Sequence, residues 1–146
     1  MKLIHYKEGN YPSQADPYLI KANDGYFYMY VTGVDAVHAF RSKELCGEYE
    51  DIGAVFSVEN GKEYWAPSVT YIDGKYYMYG SRVGVTPEYP THWGKQHGFD
   101  VYISEDLENW EKIPSVFEKP DDFWATENYW APEVHYYNGK FYMFAS

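Results

Sequence analysis

Two carboxylic acids in this 146-residue chain stand beside prolines in largely aromatic surroundings. One is Asp16, in Ala15-Asp16-Pro17-Tyr18, and the other is Glu133, in Trp130-Ala131-Pro132-Glu133-Val134. Carboxyl groups gathered at one site are common agents of proton transfer, and a neighbouring like charge tunes which of them holds a proton. The two acids are far apart in sequence, so the fold must bring them together. A third phrase of the same kind, Trp65-Ala66-Pro67-Ser68, has Ser68 where Glu133 stands and so carries no acid. Other chemistries find little support. Cys46 is the single cysteine and reads as a structural thiol near a turn. His92 and His97 have no third ligand nearby, and no C-x-x-C, H-E-x-x-H or glycine-rich phosphate loop occurs, so neither a metal site nor a cofactor is expected. Ser42 and Ser104, each with Leu three residues on, read as turn residues rather than nucleophiles.

The elements that must position these acids are repeats. Tyr64–Ser81 and Tyr129–Ser146 are identical at 11 of 18 positions, with an offset of 65 residues. A looser copy runs from Asp16-Pro17-Tyr18 through Gly25-Tyr26-Phe27-Tyr28-Met29. Each copy reads as two antiparallel strands. Asp73-Gly74, Asn138-Gly139 and Asn23-Asp24-Gly25 supply the turns, because a tight hairpin needs residues that tolerate positive φ. Pro17, Pro67 and Pro132 are expected at strand starts, where a missing N–H costs the ladder least.

A second repeat interleaves with the first. Val37–Leu45 followed by Tyr49–Phe56 matches Val101–Leu107 followed by Trp110–Phe117, giving two more strands per unit. Four-stranded units repeated at this period are propeller blades, and no stretch has sustained helical periodicity, so the fold class is all-β. Blade one is expected over about 15–57, blade two over about 64–118 and half of blade three over about 129–146. Innermost strands line the axial funnel of a propeller, which is how Asp16 and Glu133 would meet. Two and a half blades do not close a ring. The chain therefore reads as the N-terminal portion of one propeller domain, or as a half completed by a second copy.

Composition narrows the partners. A net charge of −10 and a pI near 4.8 argue against nucleic acid and anionic membrane surfaces. Aromatics make up 21% of residues, 18 of them Tyr, as suits sheets packed on sheets. The N-terminal residues lack a signal-peptide core, so a cytoplasmic location is expected. Two long links stand out. Gly84–Gly98 carries His92, Trp93 and His97, and Glu118–Asn128 carries Asp121, Asp122, Trp124 and Glu127. The first is expected to offer Trp93 or His92 as binding groups, since long aromatic loops on a β scaffold are where such groups concentrate. The second reads as a rim of the cleft or a solvated acidic link.

Ala15-Asp16-Pro17, the Gly25-Tyr26-Phe27-Tyr28-Met29-Tyr30 run and Trp-Ala-Pro-acid-Val followed by Gly-Lys-aromatic-Tyr together resemble glycoside hydrolase family 43. The resemblance spans about Ala15 to Ser146. It implies a five-bladed propeller that cleaves arabinose- and xylose-containing polysaccharides with inversion. It places Asp16 as the general base and Glu133, where the family usually has Asp, as the acid that orients the general acid and tunes its pKa. The family's general acid is a Glu of a later blade, and no residue here matches it, so the chain alone is expected to be inactive. A carbohydrate substrate is the implied partner. Trp65 and Trp130 are candidates for sugar stacking, although recurrence at one blade position favours packing. An ion on the axis of the complete propeller is compatible with the resemblance. The competing reading is a non-catalytic propeller that binds carbohydrate or protein.

Overall fold

The computed structural model of the chain describes residues 15–34, 36–58, 62–84 and 98–146. These residues form eleven strands and no helix. Blade one consists of β1 (Tyr18–Lys21), β2 (Phe27–Tyr30), β4 (Ala36–Ser42) and β5 (Glu50–Ser57), each antiparallel to the next. Blade two consists of β6 (Lys62–Ile72), β7 (Lys75–Gly84), β8 (Phe99–Ser104) and β9 (Glu111–Ile113) in the same meander. The third unit has β10 (Glu133–Tyr137) and β11 (Lys140–Phe144).

Turn chemistry sets the hairpins as the sequence suggests. Asp73 and Asn138 take φ of 47° and 48°, and the glycines after them 90° and 76°. Two successive positive-φ residues give the turn whose twist matches the paired strands. The serine turns are also real. Ser104 Oγ accepts the Leu107 amide at 2.9 Å and Ser42 Oγ the Glu44 amide at 3.2 Å.

Two features depart from expectation. Pro67 lies inside β6, where the register slips between Trp65 and Ser68. A bulge leaves the proline outside the ladder, so the strand continues past it. In addition, a short strand, β3 (Gly33–Val34), pairs with both β4 and the first residues of β6, opposite Glu63 and Tyr64. This bridge joins blades one and two into one nine-stranded sheet.

Alternation sends the aromatic residues into the interfaces between blades. Tyr28, Tyr30, Val37, Ala39, Tyr64, Val69 and Met78 form the core between blades one and two. Tyr79, Val101 and Val134, with Met143 against them, form the one between blades two and three. Polar groups pin the first interface. The Tyr30 hydroxyl donates to the Leu107 carbonyl at 2.7 Å, and Arg41 of β4 pairs with Glu108 beyond β8 at 2.7 Å. Burial of Tyr30, and then the charge of its neighbours, holds its pKa well above the ordinary phenol value, so it remains a donor.

Candidate active site

The inner strands β1, β6 and β10 are built alike at their entrances. The residues before the three prolines, Asp16, Ala66 and Ala131, have φ of 52°, 49° and 46°. A left-handed conformation costs a non-glycine residue roughly 1–2 kcal/mol, and a following proline restricts it further. The repeated geometry is held by the strand ends beside it. Backbone bonds join Thr32 to Ala15 in blade one and Trp130 to Ser146 in blade three, and Trp65 faces Ser81 in the register of blade two.

Thr32, just past β2, and Ser81, within β7, then each reach the next blade. Thr32 Oγ1 accepts the Ala66 amide at 3.1 Å, and Ser81 Oγ accepts the Ala131 amide at 2.8 Å. Thr32 also donates to Asp16 Oδ2 at 2.6 Å. One buried hydroxyl thus fixes the Asp16 carboxylate and seats the head of the neighbouring inner strand. Asp16 itself is solvent-exposed, with one oxygen held and access to solvent. Such a carboxylate is placed to take a proton from water.

The residues after the prolines, Tyr18, Ser68 and Glu133, form a second equivalent set. Tyr18 packs on the core between blades one and two, and burial raises its phenol pKa, as does the nearby Glu133 charge, against a hydrogen bond from the Val69 backbone. Ser68 is buried and donates to the Pro132 carbonyl at 2.5 Å, while Thr70 donates to the Val134 carbonyl at 2.8 Å. These positions therefore look toward the following blade. Glu133 is exposed, and its Oε2 lies 3.1 Å from His135 Nε2. Asp16 and Glu133 thus occupy different register positions, and the blade-three residue equivalent to Asp16 is Ala131. The Glu133 charge is nonetheless close enough to act on Tyr18, two residues from Asp16.

Trp65 and Trp130 lie beside each other, with ring centroids 5.5 Å apart and planes at 57°. Trp65 Nε1 donates to Glu63 Oε2 at 2.5 Å. Both residues are half-buried, and their rings pack against each other at the heads of neighbouring inner strands. His92 and Trp93 lie outside the described residues. The Glu118–Asn128 link is described: Trp124 is 86% exposed, and Phe123 packs on Phe117 and Tyr129. Sequence reasoning missed Thr32, Ser81 and Tyr18. The one available signal was Ser81 and Ser146 recurring at matching positions of the repeat. Among the described residues, no group of three His, Cys, Asp or Glu could hold a metal ion.

The sequence model of "Glycosyl hydrolases family 43" matches residues 11–92 and 85–146. An extracellular endo-α-(1→5)-L-arabinanase of Bacillus subtilis is 34% identical over 58 residues, covering 36% of this chain and 18% of its own length. A protein of Aspergillus niger described as a probable arabinan endo-1,5-α-L-arabinosidase is 35% identical over 71 residues, covering 44% of this chain and 22% of its own. The solved structure of a Bacillus subtilis arabinanase superposes with a TM-score of 0.65 at 19% identity, over 91% of this chain and 48% of that one. This last likeness is one of fold. The chain spans about half the length of that structure, and the matches cover about a fifth of each curated relative.

Proposed function

Because this chain belongs to glycosyl hydrolase family 43, we propose that it carries the general base and the orienting acid of an inverting glycosidase. Its substrates are α-L-arabinofuranosyl or β-xylosyl linkages of plant cell-wall polysaccharides or oligosaccharides. The observation that carries this reading is the Asp16 carboxylate, exposed on one side and fixed on the other by Thr32 at the head of an inner strand. Inversion needs a base that activates water on one face of the sugar and an acid that protonates the leaving oxygen on the other. Asp16 supplies the first. Glu133 sits where its counterparts Tyr18 and Ser68 face the next blade. That is the side from which a general acid on a following inner strand would approach, and a carboxylate there would raise that acid's pKa and keep it protonated. The curated relatives act on, or are named for, arabinan, which favours the arabinofuranosyl substrate.

An aryl glycoside with a very acidic leaving group needs no protonation, so it separates the two roles. With 2,4-dinitrophenyl α-L-arabinofuranoside, Asp16→Asn abolishes hydrolysis by the chain and Glu133→Gln leaves it within a few-fold. Equal loss in both variants, or none in Asp16→Asn, refutes the assignment. A non-catalytic carbohydrate-binding propeller is the second reading, favoured by Ala66 and Ala131 standing where Asp16 stands in blade one. It predicts arabino-oligosaccharide binding with no Asp16-dependent turnover.

A further inference from the structure

The link over residues 118–128 carries the chain from blade two to the head of blade three. In its middle stands Trp124, 86% exposed, beside a cavity of about 380 Å³ that Phe117, Phe123, Glu127 and Tyr129 help to wall. A single exposed apolar residue is ordinary on a protein surface, but this one is held out by both of its neighbours. Phe123 packs edge-on against Phe117 at 5.5 Å, and its amide donates to the Pro120 carbonyl at 3.1 Å. On the other flank the Ala125 carbonyl accepts the Tyr129 hydroxyl at 2.6 Å. The indole leans on Phe123, with centroids 5.6 Å apart and planes at 39°. A ring presented from a backbone tied on both sides has little freedom left to lose on binding.

The surroundings select the ligand. Asp121, Asp122 and Glu127 are exposed around the ring, and the link carries four acids against one lysine. An indole edged by carboxylates suits a neutral, hydroxyl-rich ligand: the ring covers the C–H face of a sugar, and the acids accept from its hydroxyls. The same charge repels an anionic sugar. The link also opens on the Asp16 side of the blades. Tyr129 leads into Trp130, whose ring lies 5.5 Å from that of Trp65, and the next residue, Ala66, shares the Thr32 hydroxyl with Asp16. Resting on the reading of Asp16 as a glycosidase base, we propose that Trp124 is the platform of a distal subsite for a neutral polysaccharide chain. The chain runs from the strand heads at Trp65 and Trp130 outward over the link, so affinity grows with its length.

The indole N–H signals of the whole chain, followed by NMR during titration with linear α-1,5-arabino-octaose, test this. Trp124→Tyr identifies the Trp124 signal, and because the residue is so exposed the variant should keep its fold. The Trp124 signal should shift in step with those of Trp65 and Trp130. Trp124→Ala should weaken octaose binding about tenfold or more, whereas Trp124→Tyr, which keeps a ring, should retain most of it. Shifts at Trp65 and Trp130 with Trp124 unmoved would overturn the platform and leave the reading of the Asp16 site standing. A shift at Trp124 alone would support the platform and count against that reading instead. Equal octaose affinity in Trp124→Ala, an equal shift with an oligogalacturonate, or no shift at all would overturn the proposal.

Discussion

Thr32→Val is the most informative single change in the described site. Valine keeps the β-branched shape that suits the strand end and removes only the hydroxyl. Thr32 is buried, and its oxygen does two things: it donates to Asp16 at 2.6 Å and accepts the Ala66 amide at 3.1 Å. Losing a hydrogen bond to a charged group costs about 1.5–3 kcal/mol, and leaving the half-buried Ala66 amide unsatisfied costs about 1 kcal/mol or more. The two share one oxygen and do not add fully, so the expected loss is about 2–4 kcal/mol. Urea unfolding followed by tryptophan fluorescence measures it. Thr32→Ser should recover all but about 1 kcal/mol, having only a methyl group to lose. Ser81→Ala should cost less than Thr32→Val, because Ser81 accepts the Ala131 amide but holds no carboxylate. A Thr32→Val protein within about 0.5 kcal/mol of wild type would refute the view that this hydroxyl organises both strand heads.

Gly80→Ala should destabilise by more than about 3 kcal/mol or prevent folding, because its Cβ would fall on the ring of buried Tyr64; thermal denaturation checks this. Tyr30→Phe should cost about 1 kcal/mol, the loss of one of the two hydrogen bonds to the Leu107 carbonyl, which keeps the bond from Trp110 Nε1, measurable in the same unfolding assay. Asp106 gives a pH signature. Slight burial pushes its carboxyl up, but bonds from the Asn109 backbone and side chain, the Glu108 amide and Ser104 outweigh it and hold the pKa at about 2. The folded value lies below the unfolded value of about 3.9, so this contribution is present above about pH 4 and lost as pH falls through about 2. Asp106→Asn should flatten that part of the stability profile, and by a small amount, since the group is largely exposed.

The repeats were legible because their signals are local. Asp73-Gly74 and Asn138-Gly139 announce hairpins, and alternating Tyr and Met announce strands buried between sheets. What escaped the sequence depends on register and on contacts between blades. Pro67 looks like a strand start until the bulge shows β6 running through it. Gly33–Val34 is too short to read as a strand, yet it joins two blades. Asp16 precedes its proline and Glu133 follows its own in the sequence, but only the structure shows the left-handed conformation that Asp16 shares with Ala66 and Ala131. Thr32 carries no sequence signal for its role, because its partners Asp16 and Ala66 are brought to it by folding.

The central claim is that Asp16 activates water for an inverting displacement. Proton NMR of the sugar first released from 2,4-dinitrophenyl α-L-arabinofuranoside, by wild type and by Asp16→Asn, tests it most directly. The account predicts β-arabinofuranose as the initial product and none above background from Asp16→Asn. An initial α product, or turnover that survives the loss of the Asp16 carboxylate, would contradict it.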